Sequence, residues 1–474
     1  MILQHFYKPL LNVFYDAITH KVPEKLRSII ITLCFCSIFA IQFISQYVYD
    51  FQGFDRNIRD FLICGFLGFA ILISVNKRLE IVKWKKSIYI PYTIAAVLIF
   101  IAGLDHKLGP AYGAFPLTML VGFLCLFYVW ENRKDYINLF RYASTAYLIY
   151  ITILLVICIT KYPLDVYHYT PMDYCPFHIN PNGVSKLFLP GIACGLFLSL
   201  DTEKLFKKVI LNVLAGCFMA VVVLTNCRAG LLIAPIMLLI YALGEYYGVE
   251  GLKDRLINIG KGLAIVLVAM VLCQYVIKDI SMVIYENTTA FAETVSEETT
   301  GESTEATTGE ETEDEEKEPV KKSKAELRAE RFATLGDRIS GDPFLSKLDA
   351  IMASRISIWT VYFDNMSWRG GGEHLFVSTE YAHNQYIELS YKAGIPVGIL
   401  YLAWVVTSGV YLIKGFFKGG KHKKLLYFQL LIYPLFFITS MLDTGIIPYE
   451  RGFIFLFYLT TGPLFFKNNY LEVE

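Results

Sequence analysis

The chain has 474 residues, of which 55% are hydrophobic, 15% aromatic and only 18% charged. A soluble globular domain carries about 25% charge and less apolar material, so a water-soluble enzyme is excluded as a class. Its 43 basic and 43 acidic side chains balance, and no motif points to a nucleic-acid partner.

Residues 1–27 lack the layout of a cleaved signal peptide and read as a short amphipathic lead-in. Twelve apolar runs follow, roughly 28–48, 60–75, 86–104, 114–130, 143–160, 184–200, 207–225, 229–247, 260–277, 394–416, 425–441 and 452–466. Runs of about 20 apolar residues are long enough to cross a bilayer. The expected fold is an all-α polytopic membrane protein of about twelve transmembrane helices. It divides into an N-terminal membrane bundle of about nine helices (1–277), a large helical loop (278–385) and about three C-terminal membrane helices (386–474).

Lysine and arginine set the orientation. With the N-terminus in the cytoplasm, the short inner segments hold Lys77, Arg78, Lys83, Lys85, Lys86, Arg133, Lys134, Lys204, Lys207, Lys208, Lys414, Lys418, Lys421, Lys423 and Lys424 among others. The short outer segments hold only Arg56, Arg59, Lys107, Lys161, Arg228 and Arg451. This asymmetry predicts a multi-pass protein of the cytoplasmic membrane with both termini inside and the large loop outside. A cysteine introduced at Ser303 should therefore react with a membrane-impermeant thiol reagent on intact cells. Labelling that needs cell lysis would reverse the orientation.

The ten native cysteines lie mostly within apolar runs, as Cys34, Cys36, Cys64, Cys125 and Cys158 do, where cysteine acts as a small hydrophobe. No CxxC pair and no His/Cys cluster has metal-ligand spacing.

The large loop opens with "ETVSEETTGESTEATTGEETEDEEKE", residues 293–318, with twelve carboxylates and one lysine. Without it the chain has 42 basic and 31 acidic side chains, a net of +11. Such a composition buries no apolar surface and reads as a solvated, disordered spacer. Loop length costs little free energy to change. Replacing 294–318 by a short Gly/Ser linker should leave product formation within a few-fold of wild type. Complete loss at normal membrane expression would give the insert a role beyond spacing.

Order is expected to return at "KKSKAELRAERFATLGDR" and again at "LSKLDAIMASRISIWTVYFDNM", two helices of an outer cap. In the second, Arg355, Trp359 and Tyr362 recur at i, i+4 and i+7, so one face presents a guanidinium beside two aromatics. "SWRGGGEHLF" is a glycine-rich turn, expected to act as a hinge next to His383. "STEYAHNQYIELSYKAGIPVGILYL" then places His383-Asn384 just before an apolar run. Further polar marks fall on the same side: Asn180, Pro181 and Asn182 opening the sixth run, Arg228 in a short hairpin, and Asp443, Glu450 and Arg451 between the last two. Arginines in tight turns can pair with carboxylates or headgroups. Several of them together with a histidine fit a site for an anionic lipid-linked substrate, because a guanidinium meets phosphate with a planar, permanently charged fork.

Four pieces, in this order, resemble the O-antigen ligase and polymerase superfamily of bacterial cell-surface polysaccharide assembly. They are "NPN" opening a span, the "NCRAGLL" hairpin, "RISIW" in the large loop, and "GGG" followed by "AHNQYIELSYKAGIPVGIL". Two departures stand out: Asn226-Cys227 precedes Arg228 where that family has serine, and the acidic insert is unusual. The resemblance implies a Wzy-like enzyme with a glycosyltransferase-C-like fold, inverting and metal-independent, without a cofactor. The donor would be a glycan on undecaprenyl diphosphate. The acceptor would be another such unit (polymerase, the favoured reading) or a different lipid or protein (ligase). A flippase and a chain-length regulator are the implied partners, besides the bilayer. His383 would be the general base, and Arg228 and Arg355, with Arg451 in support, would neutralise the diphosphate. Asn182, Asn384 and Glu388 would orient sugar or histidine. No Asp-x-Asp lies in a stretch expected to be ordered, which fits charge stabilisation by arginine. His178 and His374 are rival histidines. A lipid-linked oligosaccharide flippase or permease is the competing class. It predicts polar residues at mid-membrane and internal repeats, neither of which is evident. A scaffolding membrane protein would not need the arginines.

Overall fold

The computed structural model describes residues 2–47, 56–105, 110–168, 173–287, 355–371, 382–419, 423–443, 447–448 and 450–466. The acidic insert, the first cap helix, Gly372 and His374 lie outside these residues. The described chain is helical, with only two isolated β-bridges, Trp84 to Phe466 and His168 to Tyr174.

The helices run in chain order as α1 (Ile2–Ala17), α2 (Glu24–Tyr47), α3 (Arg56–Ser74), α4 (Lys86–Asp105), α5 (Pro110–Leu117) and α6 (Leu124–Arg133). There follow α7 (Tyr136–Lys161), α8 (Pro181–Asp201), α9 (Leu205–Leu224), α10 (Arg228–Gly248) and α11 (Leu252–Tyr275). The C-terminal part has α12 (Arg355–Asp364), α13 (Gln385–Ala393), α14 (Ile395–Phe417), α15 (Lys424–Leu442) and α16 (Gly452–Thr461). A π-helical turn, Thr118–Phe123, joins α5 to α6. Among the described residues ten helices are long and apolar enough to cross a membrane. The runs expected at 60–75 and 452–466 are also helical, in α3 and in the shorter apolar helix Gly452–Phe465.

Large apolar side chains line the outside of the bundle, among them Leu33, Ile101, Leu239 and Val271, each more than half exposed. That is the pattern of helices that meet lipid on one side and protein on the other. The interior is aromatic: Tyr92, Trp130, Tyr401, Trp404 and Tyr458 are fully buried, and the hydroxyls of Tyr401 and Tyr458 lie 2.9 Å apart. The α9 helix packs along α8 on one side and α11 on the other. Gly216 permits the second contact, since a Cβ there would stand 2.3 Å from the Val266 carbonyl oxygen.

The two ends of the bundle differ in how charge is handled. At the end holding the carboxyl terminus of α8, Arg133 and Arg141 are matched to carboxylates. Arg133 meets Glu24 at 2.6 Å and Asp135 at 2.9 Å, and Arg141 meets Asp201 at 2.6 Å. Lys208 meets Glu245 at 2.6 Å at the same end. The opposite end, where α8 begins, gathers the residues singled out above.

Candidate functional site

The amino ends of α8 and α10, the carboxyl end of α15 and Arg355 of α12 surround a cavity of about 270 Å³. Its lining includes Asn182, Lys186, Arg228, Arg355 and Asp443. Helix amino ends carry partial positive charge and unpaired N–H groups, which favour an anion.

Local sequence builds each wall. Asn180 caps α8, its Oδ1 accepting the Gly183 N–H at 2.7 Å, and Pro181 takes the first helical position, where its missing N–H costs nothing. Asn182 Oδ1 accepts the Cys227 thiol at 3.0 Å, which ties α8 to the turn before α10. That turn is tight: Asn226 has φ of +50°, a left-handed conformation that asparagine tolerates better than most residues. Gly230 lets α10 approach α8, because a Cβ there would meet Ser185 Oγ at 2.2 Å. Ser185 lines the cavity, and its buried hydroxyl has no hydrogen-bond partner among the described residues.

Arg228 and Arg355 act on each other as like charges. Burial, and then the neighbouring Arg228, lower the pKa of Arg355 from its ordinary value. A site that holds two guanidiniums close together is electrostatically suited to a multiply charged anion. The aromatics that the spacing places on the face of Arg355 make contacts within the protein. Trp359 Nε1 donates to the Ala382 carbonyl at 2.7 Å, and buried Tyr362 packs edge-on against Tyr391 with ring centres 5.2 Å apart. They pin α12 to α13 and to the segment just before it, and so anchor the helix that carries Arg355.

His383 stands just before α13 with φ of +47°. Its Nδ1 lies 3.9 Å from Asp443 Oδ1, and its side chain is 38% exposed. Strained backbone of this kind persists only where the surroundings hold it, and it collects at functional positions. Here Asn384 does the holding. Its Oδ1 accepts the N–H groups of Tyr386 at 3.0 Å and Ile387 at 3.1 Å, and its Nδ2 donates to the Met441 carbonyl at 3.2 Å. The carboxamide, expected to orient sugar or histidine, is thus occupied as a helix cap beside His383 and as a tie to α15. His383 does not itself line the cavity. It reaches the cavity through Asp443.

Asp443 is the hub. Its carboxylate pairs with the Lys186 ammonium and lies 3.8 Å from the Arg451 guanidinium, besides its contact with His383. Lys186 is 9% exposed. Removing one partner of such a buried pair costs about 3–5 kcal/mol, because the other charge is left stranded. Arg451, at the cap of α16, faces a separate space of about 20 Å³ on the other side of Lys186, with Gln42, Tyr147 and Glu450. By volume it holds about one water.

Two expectations change. Glu388 does not face the cavity: it pairs with Lys392 at 2.5 Å, one turn further along α13. The glycine turn is no hinge beside His383. Gly370 has φ of +91° and lies against the Lys392 carbonyl, where a Cβ would come within 2.4 Å, and the Gly371 N–H donates to the Tyr391 carbonyl at 2.7 Å. Both contacts are at the carboxyl end of α13, whereas His383 is at its amino end. His178 sits in the turn before α8, its ring 5.5 Å from Tyr167, and does not line the cavity.

Sequence reasoning missed Lys186 and left Asp443 without a role. A charged side chain inside an apolar run is a functional candidate by default, and Lys186 stood four residues after Asn182, on the same helix face. Among the described residues no three His, Cys, Asp or Glu side chains group as a metal-ligand set. In comparisons with known proteins, no family model, no curated protein and no solved structure matches the chain.

Proposed function

We propose that this protein is a membrane glycosyltransferase that polymerises oligosaccharide units carried on undecaprenyl diphosphate, on the outer side of the cytoplasmic membrane. One observation carries the reading. Two arginines, a buried lysine and an aspartate, drawn from four separated stretches of chain, line one cavity at a single end of an apolar helical bundle, and a histidine from a fifth stretch contacts the aspartate. A prenyl diphosphate places its tail in the bilayer and its anionic group at the membrane surface, which is where helix ends of a polytopic protein lie.

The division of labour follows from the chemistry. Arg228 and Arg355 neutralise the diphosphate, which leaves as the sugar C1–oxygen bond breaks. His383 takes the proton from the acceptor hydroxyl as that oxygen attacks C1 from the opposite face. One displacement inverts the anomeric centre. The twelve-span count, the glycosyltransferase-C-like fold and the outward orientation of the cavity belong to the same proposal. The resemblance of the four motifs supports it, as does the meeting of three of them, "NPN", "NCRAGLL" and "RISIW", around the cavity.

The test uses purified protein in liposomes with a fluorescent lipid-linked oligosaccharide. The proposal predicts a ladder of longer glycans with release of undecaprenyl diphosphate. Redistribution of the label between leaflets with no change in glycan length would identify a transporter instead. A single transfer to an unrelated acceptor, with no ladder, would identify a ligase.

A further inference from the structure

We infer that Lys186 is a third cation of the diphosphate site, held by Asp443 in the empty protein and handed to phosphate when the donor arrives. The inference rests on the reading of the cavity as a donor site.

Its grounds are positional. Lys186 lies one turn inside α8 and lines both the larger cavity with Arg228 and Arg355 and the small space with Arg451. It is the one residue shared by those two linings, so its ammonium sits between the arginines assigned to the donor and the arginine on the far side. Its carboxylate partner, Asp443, lies on the same cavity wall. Next to it is Ser185, whose buried hydroxyl has no partner among the described residues and lines the cavity as well. A hydroxyl left unsatisfied beside a lysine is suited to a phosphate oxygen.

Charge makes the exchange favourable. A diphosphate joined to sugar and prenyl chain carries two negative charges. The cavity lining sets Arg228, Arg355 and Lys186 against Asp173 and Asp443. When phosphate enters, Lys186 exchanges one anionic partner for another, and Asp443 keeps the Arg451 guanidinium, 3.8 Å from its carboxylate. Lysine suits this better than arginine, because a compact ammonium on a flexible stem changes partner without matching a planar fork. Asp443 holds Lys186 with Oδ2 and faces His383 Nδ1 with Oδ1 at 3.9 Å, so once Lys186 turns to phosphate the carboxylate can shift to accept the Nδ1–H of His383. Donor binding would then complete the base, so that His383 is oriented only when there is a donor to react with. Lys186 is in this sense both a binding and a positioning residue.

The alternative is that Lys186 merely neutralises a buried carboxylate. Two variants separate the roles. Asp443→Asn removes the carboxylate and keeps the lysine. Lys186→Met/Asp443→Asn removes both charges, a replacement that buried pairs tolerate well. The measurement is binding of a short-chain prenyl diphosphate to the purified full chain by calorimetry, with size-exclusion and thermal unfolding as checks of fold. Asp443→Asn should bind as tightly as wild type or more so. The double variant should bind more weakly than Asp443→Asn by about tenfold or more, the worth of a charge-assisted hydrogen bond. Lys186→Arg/Asp443→Asn should recover most of the loss. Equal affinity for Asp443→Asn and the double variant would overturn the inference. Arg355→Gln is the control for the site itself. If it weakens binding while the two aspartate variants remain equal, only the role of Lys186 falls. If Arg355→Gln also leaves affinity unchanged, the cavity is not a diphosphate site and the functional reading fails with it.

Discussion

Replacing His383 by alanine should stop glycosyl transfer while leaving donor binding nearly unchanged. A neutral imidazole accepts a hydroxyl proton near physiological pH, and general-base help is worth roughly 100- to 10,000-fold in rate. His383 has a backbone fixed by the Asn384 cap, a carboxylate near Nδ1 and a partly exposed ring, which suit it to the proposed role of base. A left-handed φ of +47° makes alanine costly at this position for reasons unrelated to chemistry. His383→Asn is the companion variant, since asparagine tolerates that conformation and does not act as a base. Both should bind a prenyl diphosphate within a few-fold of wild type and turn over at least about 100-fold more slowly. Transfer at near wild-type rate by either would remove His383 from the mechanism and direct attention to His374.

Arg355→Lys should weaken donor binding or transfer strongly although charge is conserved. A guanidinium delivers two parallel N–H donors to phosphate oxygens, and an ammonium acts as a point charge without that fork. The loss of one charged hydrogen bond corresponds to roughly 1.5–3 kcal/mol, or about 10- to 100-fold. The helix that carries Arg355 is anchored by Trp359 to Ala382 and by Tyr362 to Tyr391, contacts that the substitution does not touch. The effect should therefore appear in affinity or rate with no fall in thermal stability. A fully active Arg355→Lys would show that position 355 contributes only charge, and the case for diphosphate recognition there would weaken accordingly.

Much of this architecture was legible in the chain because hydropathy reports spans directly. The candidate site was legible where a polar residue opens an apolar run or stands in a tight turn. Asn182, Arg228 and Arg355 were singled out from separate stretches, and all three line one cavity. Lys186 escaped because an isolated charge barely changes the mean of an apolar run, and its partner Asp443 lies far along the chain. Glu388 was misjudged although the signal was present: a glutamate four residues before Lys392 is the arrangement that pairs along a helix. Asn384 was expected to orient sugar or histidine; a cap and a ligand contact use the same oxygen, and the position of the next N–H groups makes it the cap that fixes the backbone beside His383. The glycine run at 370–372 was read as a hinge. The structure instead uses Gly370 and Gly371 for close approach to the end of α13, which calls for the same absence of Cβ.

The most direct test of the central claim is the anomeric configuration of the bond formed when purified protein extends a lipid-linked oligosaccharide of known donor anomer. Attack on C1 by a hydroxyl deprotonated at His383, with the diphosphate leaving toward Arg228 and Arg355, is a single displacement. The new linkage should have the opposite configuration to the donor, and His383→Asn should yield no such product. A retained configuration, or no extended product from active-looking, correctly folded protein, would contradict the account.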